Sequence, residues 1–243
     1  MSYAELAVTT NFSFLRGASH PEELVETAKE LGLAGIGIAD RNSVAGVVRA
    51  HAMAQEKGVR LTVGARLVFA DGTPDILAYP KDRPAWGRLT RLLSLGKRRA
   101  DKGECLLGLA DLVEFIEGLN LIVMPPRPLD AAGLKPVLLR LKQASSRHSV
   151  WLAAATLYDG DDARRLARLA DLAQSVRVPL IAVNDVLYHV SERRLLQDVV
   201  TCIREHVGIE EAGRLLQANA ERHLKPPGEM ARMFARAPEA VAE

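Results

Sequence analysis

The chain has 243 residues, of which 48% are hydrophobic and 26% charged, and its formal net charge is +2. This composition excludes a chain that is disordered throughout, and such balanced charge does not by itself indicate nucleic-acid binding. There is no signal-peptide pattern and no apolar run as long as a membrane span, and the two cysteines lack metal-binding spacing. We therefore expect a cytoplasmic protein that does not enter the membrane, with the length of a single α/β barrel.

Seven apolar runs with strand character are spread along the chain: residues 5–9, 34–39, 61–69, 75–78, 120–124, 150–155 and 180–183. Amphipathic patterns between them predict helices at 21–31, 44–57 and 161–176. Ser19 and Glu22 have the spacing of a capping box for the first of these helices. The alternation of strands and helices predicts a parallel sheet with helices outside it. Periodicity alone fits a closed barrel and an open doubly wound sheet equally well.

The pattern changes after Asp185. Residues 191–207 form one long amphipathic helical pattern, and prolines then divide the remaining chain into a loop and two short helices. We therefore predict a main domain at 1–207 and a C-terminal extension at 208–243. The helical pattern at 191–207 and the extension carry more apolar residues than one helix face needs. Some of these residues should close the core, and the others should form an exposed patch. These residues are Leu195, Leu196, Val199, Val200, Ile203, Met230, Met233 and Phe234.

Reactive groups in parallel α/β folds gather where the strands end. Asp40 and Asp185 are the carboxylates found there, and of the six histidines only His189 lies within a turn of a strand end. A catalytic zinc site needs about three protein ligands and a two-metal site needs more. Either aspartate could instead cap the turn that follows it. The chain also lacks a glycine-rich phosphate loop and a nucleophile elbow.

Four segments carry a distinctive order of residues: 5–19, 35–46, 63–66 and 179–188. They resemble the ligand motifs of the PHP (polymerase and histidinol phosphatase) domain in the alpha subunits of bacterial replicative DNA polymerases. Asp40 and Asp185 match ligand positions of that family. At five further ligand positions, where the family carries histidines and a glutamate, this chain has Ala7, Thr9, Arg41, Arg66 and Leu187. The resemblance thus implies a vestigial metal site with no metal and no catalytic residue.

Residues 8–24 and 40–43 are further similar to the error-prone, damage-inducible branch of these alpha subunits, and 222–234 is similar to the segment leading to the polymerase palm. The resemblance implies a distorted seven-stranded (β/α) barrel at the N-terminus of a larger polymerase, with no cofactor in this domain. The implied partners are the remainder of the polymerase chain, DNA through the full-length polymerase, and the sliding clamp and mutagenesis accessory proteins of translesion synthesis.

Three functions can be compared on these residues. They are a non-catalytic structural module of an error-prone polymerase, a metal-dependent phosphoesterase or proofreading nuclease using Asp40, Asp185 and His189, and a free-standing binding protein. Arg41 and Arg66 favour the first, because each would repel a cation by about 4 kcal/mol at about 4 Å and an effective dielectric of about 20. We also expect these two arginines to pair with the two aspartates and to stabilise the fold.

Overall fold

The computed structural model describes residues 2–243. Seven strands form one continuous sheet whose spatial order is the order of the chain. They are β1 (Ala4–Val8), β2 (Gly35–Arg41), β3 (Leu61–Leu67), β4 (Ile76–Pro80), β5 (Leu119–Val123), β6 (Val150–Ala154) and β7 (Leu180–Ala182). The sheet curls into a distorted barrel, which confirms the predicted fold class. It does not have the changed strand order of a doubly wound sheet.

One strand runs against the others. β4 is antiparallel to both β3 and β5, whereas the remaining neighbours are parallel. The expectation of a wholly parallel sheet was therefore wrong at β4. The reason is the short connection from β3, which carries no helix, since a parallel pair needs a crossover of a dozen residues or more. We call the end of the barrel where the parallel strands finish and β4 begins the mouth.

The helices surround this sheet. They are α1 (Pro21–Glu30), α2 (Val47–Lys57), α3 (Arg83–Arg98), α4 (Leu109–Phe115), α5 (Ala131–Ala144), α6 (Asp162–Val176), α7 (Arg194–Glu205), α8 (Pro227–Met233) and α9 (Glu239–Ala242), with short 3-10 turns at Ser191–Arg193 and Gly213–Leu215. Among residues 2–243, no helix is both long enough and apolar enough to cross a membrane.

The start of α1 differs from the predicted capping box by one residue. His20 is the N-cap, and its backbone N–H donates to the Glu23 carboxylate at 2.8 Å. Ser19 is engaged elsewhere, because its hydroxyl lies 2.7 Å from Nδ1 of His189. Pro21 occupies the first helical position, where a missing N–H costs nothing.

The strands bury a different set of residues on each face. Side chains facing the helices form the larger apolar cores, while alternate residues fill the barrel interior: Ala7, Ala39, Leu77, Tyr79, Ile122, Ala153, Ile181 and Val183. Tyr79 is the largest of these, and its hydroxyl donates to the Leu6 carbonyl. A Cβ at Gly64 would lie 2.6 Å from the Tyr79 ring, so glycine is needed on β3 to admit it. This alternation decides which polar residues can meet at the mouth.

The segment that follows β7, rather than β7 itself, pairs with β1 and closes the barrel. Val186 forms an isolated parallel bridge with Val8 of β1. The Val186 N–H donates to the Ala7 carbonyl at 2.8 Å, and Thr9 N–H donates to the Val186 carbonyl at 2.9 Å. Residues 183–188, which follow the three-residue β7, therefore complete the wall of the barrel by pairing with β1.

The segment at 208–243 packs its last helices into the main core. Met230, Phe234, Ala240 and Val241 are buried there, and Met233 is partly buried against them. By contrast, apolar residues of α7 stay exposed: Leu195 (74%), Leu196 (41%), Val199 (45%) and Ile203 (53%). We call these four residues the α7 patch. The expectation that part of the apolar excess closes the core and part remains exposed is confirmed.

Candidate site at the barrel mouth

The mouth brings together charged residues from four places in the chain. Arg41 ends β2 and lies beside Arg66 of β3 in the sheet register. Asp75 immediately precedes β4, and Asp185 lies in the segment that follows β7. Because β4 is reversed, it contributes the residue before its start rather than one after its end.

Asp40 is buried, and its carboxylate is bound by hydroxyl and amide donors rather than by a cation. Its carboxylate accepts hydrogen bonds from the Thr10 amide at 2.9 Å, the Thr10 hydroxyl at 2.9 Å and the Ser13 hydroxyl at 2.7 Å. Burial raises the pKa of Asp40 despite these hydrogen bonds, which act to lower it. The expectation that Arg41 or Arg66 pairs with Asp40 was wrong. Side chains alternate along β2, and Asp40 lies on the same face as Ile36 and Ile38, which pack against the helices. Arg41 lies on the opposite face, with Ala39, which points into the barrel interior.

Asp185 lies between two guanidinium groups. Arg66 forms an ion pair with one carboxylate oxygen, and Nη2 of Arg222 lies 2.5 Å from the other. Burial acts to raise the pKa of Asp185, but the Arg222 and Arg66 cations outweigh burial and hold the pKa below its usual value. Nη1 of Arg66 is also 3.9 Å from the Asp75 carboxylate. The predicted pairing of Arg66 with Asp185 is therefore confirmed.

Arg41 has no such partner. It forms no ion pair with any residue in 2–243, and its side chain is half-buried at the mouth. Burial lowers the pKa of Arg41; the charge of Asp75 acts to raise it, and the charges of Arg66 and Arg204 act to lower it further. The expected ion pair at this position was wrong, because the neighbouring acid, Asp75, lies closer to Arg66.

The other positions singled out by the sequence are not part of the Asp185 ion-pair cluster in the described chain. Ala7 is fully buried in the barrel interior, and Leu187 packs with Ala18 and Tyr188. Thr9 is buried with no hydrogen-bond partner for its hydroxyl in the described chain. His189 is held by Ser19 through both its ring and its backbone N–H.

The donor set at the mouth does not suit a metal ion. Within residues 2–243, no three His, Cys, Asp or Glu side chains come together in a way that could hold one. Asp185 is already neutralised by two cations, and the Asp40 oxygens are occupied by Thr10 and Ser13. A metal-dependent hydrolase needs carboxylates or imidazoles that are free to bind.

Sequence reasoning missed Glu5, Asp75 and Arg222. Glu5 is buried, and its carboxylate accepts hydrogen bonds from the Tyr3 hydroxyl at 2.7 Å, the backbone N–H of Ala7 at 2.8 Å and the backbone N–H of Asn184 at 2.7 Å. Burial raises the pKa of Glu5 to about 7, although these hydrogen bonds favour its ionised form. A glutamate within an otherwise apolar strand was the one signal available for Glu5. Nothing in the spacing pointed to Arg222.

The model of the PHP domain family matches residues 5–133. The chain is 57% identical over 246 residues to an error-prone DNA polymerase of Rhodopseudomonas palustris (strain BisB5), covering 100% of this chain and 22% of that protein. An error-prone DNA polymerase of Caulobacter vibrioides is 55% identical over 239 residues, covering 98% of this chain and 22% of the relative. The chain thus spans about a fifth of the length of these curated relatives.

Solved structures share the fold at low identity. A candidate metal-dependent phosphoesterase from Bifidobacterium adolescentis has a TM-score of 0.54 at 16% identity, covering 76% of this chain and 87% of that one. An amidohydrolase from Chromobacterium violaceum has a TM-score of 0.56 at 16% identity, covering 76% and 88%. With the family model matching more than half of the residues, the chain belongs to the PHP domain family.

Proposed function

We propose that this chain is a non-catalytic, structural PHP domain of an error-prone DNA polymerase that acts in damage-induced translesion synthesis in the cytoplasm. The observation that carries the proposal is the pairing of Asp185 with both Arg66 and Arg222. The vestigial metal-site positions are, in this proposal, Ala7, Thr9, Asp40, Arg41, Arg66, Asp185 and Leu187. The printed names of the relatives support the assignment to an error-prone polymerase.

Charge at the mouth argues against a hydrolase. At the mouth three guanidinium groups, those of Arg41, Arg66 and Arg222, face the two carboxylates of Asp75 and Asp185, so an incoming divalent cation would meet net positive charge there. To bind, the metal would have to displace Arg66, which would leave a nearly buried guanidinium with only Asp75 near it. The protein's own cations thus hold the charge that a metal would otherwise supply, and the result is a stabilised barrel.

The proposal places the chemistry of nucleotide addition outside this domain. Its partners would be the remainder of the polymerase chain, the sliding clamp and mutagenesis accessory proteins, with DNA engaged through the full-length polymerase. The α7 patch is the surface that we assign to the remainder of the polymerase, because four apolar side chains on one short helix are left exposed.

The test is elemental analysis of the purified chain together with hydrolysis assays. We expect no stoichiometric zinc, manganese or iron by plasma mass spectrometry. We also expect no turnover of a phosphomonoester or of single-stranded DNA ends with added Mn²⁺. An active metal-dependent phosphoesterase purified in parallel is the positive control. Near one metal per chain that is lost in Asp40→Ala, or turnover abolished by Asp185→Asn, would refute the proposal.

A further inference from the structure

A second feature of the mouth is a cleft of about 810 Å³ beside the Asp185 cluster. Its walls come from the loop after β1, the end of β2 and the loop that follows it, the segment after β3, the end of α3 with the segment that leads to α4, and Arg204 of α7. Five basic residues line it, against the acidic Asp101 and Glu104: Arg16, Arg41, Lys97, Lys102 and Arg204. We call it the basic cleft.

Two of its arginines are uncompensated. Within residues 2–243, the guanidinium groups of Arg16 and Arg41 form no ion pair, and the acids that influence them most, Asp75 and Glu205, are engaged by Arg66 and Arg204. Arg204 lies 2.8 Å from the Glu205 carboxylate and donates to the Leu15 carbonyl at 2.7 Å. Arg204 thereby fixes the loop that presents Arg16 to the cleft.

The two free cations are also partly removed from water. Burial lowers the pKa of Arg16 to about 10, and the like charges of Arg41 and Arg204 act in the same direction. Like charges in a partly desolvated cleft repel one another, and this cost is relieved when an anion enters. A charged ligand with regularly spaced negative groups would gain most from such a surface.

The cleft also offers an aromatic ring. Phe14 lies on the loop between Ser13 and Leu15 and is 81% exposed, whereas Phe12 on the same loop is covered by the Arg49 guanidinium. An exposed aromatic ring beside cations is the combination with which proteins bind single-stranded nucleic acids. The backbone follows the positive groove, and a base stacks on the ring. Neither a free phosphate ion nor an acidic peptide needs an exposed aromatic ring.

We propose that the basic cleft binds single-stranded DNA, with Arg16 and Arg41 contacting backbone phosphates and Phe14 stacking on an unpaired base. This goes beyond the structural role proposed above, because it gives the domain a ligand of its own. It does not depend on the polymerase assignment and can hold or fail independently of it.

The test is fluorescence anisotropy of a labelled oligothymidylate titrated with this chain over a series of salt concentrations. The Arg16→Ala/Arg41→Ala double variant should bind about tenfold or more weakly at low salt. It should also reduce the slope of log affinity against log salt by about 1.4, since each lost phosphate contact on a single strand removes about 0.7. The matched control is Arg140→Ala/Arg236→Ala, which removes two exposed arginines outside the cleft and should bind like the parent.

Phe14→Ala separates stacking from charge. It should weaken binding about tenfold, or by about 1.4 kcal/mol, because the stacking of one base is lost, and it should leave the salt slope unchanged. Denaturant midpoints of every variant show whether the fold is intact. Equal binding by the double variant and its control would overturn the proposal. So would no effect of Phe14→Ala, or competition by inorganic phosphate or polyglutamate as strong as by single-stranded DNA.

Discussion

Arg222 holds Asp185 through both its main chain and its side chain. Nε of Arg222 donates to the Asp185 carbonyl oxygen at 2.7 Å, and Nη2 lies 2.5 Å from the carboxylate. Asp185 has a φ of 48°, in the left-handed region that few residues other than glycine adopt. The arginine thus fixes an uncommon backbone conformation in the segment that closes the barrel, and it ties that segment to the C-terminal part of the chain.

Arg66→Ala should destabilise the protein clearly. The substitution removes the cation nearest Asp75 and leaves Asp185 with Arg222 alone. Removal of one partner from a buried pair costs about 3–5 kcal/mol, and the loss here should be smaller than that because Arg222 remains. Urea denaturation gives the free energy of unfolding. Arg164→Ala, on the exposed side of α6, is the control and should change this energy by less than about 0.5 kcal/mol. Similar midpoints for the two variants would show that the Arg66 pair contributes little.

Arg41→Ala should have a much smaller effect. Arg41 has no ion pair in the described chain; its charge is attracted by Asp75 and repelled by Arg66 and Arg204. Its removal should leave the urea midpoint nearly unchanged, since the attraction and the repulsions offset one another. A loss of stability as large as that caused by Arg66→Ala would contradict the geometry described for Arg41.

Glu5 should make stability fall as pH rises towards neutrality. The pKa of Glu5 is raised by burial from an ordinary 4.5 to about 7. Between these values the folded protein binds more protons than the unfolded chain, so the free energy of unfolding decreases as pH increases. The loss from Glu5 is about 3 kcal/mol across this window, at 1.36 kcal/mol per pH unit of pKa difference.

The measurement is the urea midpoint at pH 5, 6, 7 and 8. Glu5→Gln should be less stable at low pH, because it loses an acceptor for backbone amides, but its midpoint should depend less on pH than that of the parent. Glu114→Gln, an exposed change on α4, should keep the parental pH profile. Identical profiles for Glu5→Gln and the parent would rule out Glu5 as the titrating group.

The α7 patch should cause the isolated chain to self-associate. Leu195 and Ile203 are 74% and 53% exposed. Leu195→Ser/Ile203→Ser should weaken association in a concentration series by analytical ultracentrifugation, without lowering the urea midpoint. Leu139→Ser removes another exposed leucine, 45% exposed on α5, and should have no effect on association. A parent chain that stays monomeric at every concentration would place the interface elsewhere.

The sequence carried enough information for the barrel and for part of the mouth. Strand-length apolar runs separated by helices are local features, and the ends of parallel strands converge in any such fold. The proximity of Arg66 and Asp185 followed from this convergence, although the two are 119 positions apart. The separation of Asp40 from Arg41 also follows from the sequence, since adjacent residues of a strand face opposite sides of the sheet.

The rest depended on information that an apolar run does not contain. The direction of β4 is not contained in its composition, because a strand looks the same in either direction. It is contained in the connection, since the short stretch 70–74 between the predicted third and fourth runs leaves no room for a parallel crossover. That rule would have placed Asp75 at the mouth. Arg222 reaches Asp185 from a segment with no regular structure, beside the isolated bridge between Tyr188 and His223. Contacts of this kind depend on the path of a loop, which hydrophobic periodicity does not describe.

The hydrogen bond from the Asn184 amide to Glu5 joins residues 179 positions apart. During synthesis β1 leaves the ribosome before the other six strands of its sheet, yet its outer edge has no partner until Asn184 and Val186 have been made. Closure of so long a loop is slow, because the entropy is lost before the contacts form. Until then an unpaired strand edge can join a neighbouring chain. The first strand of this sheet to be made is thus the last to have both of its edges paired.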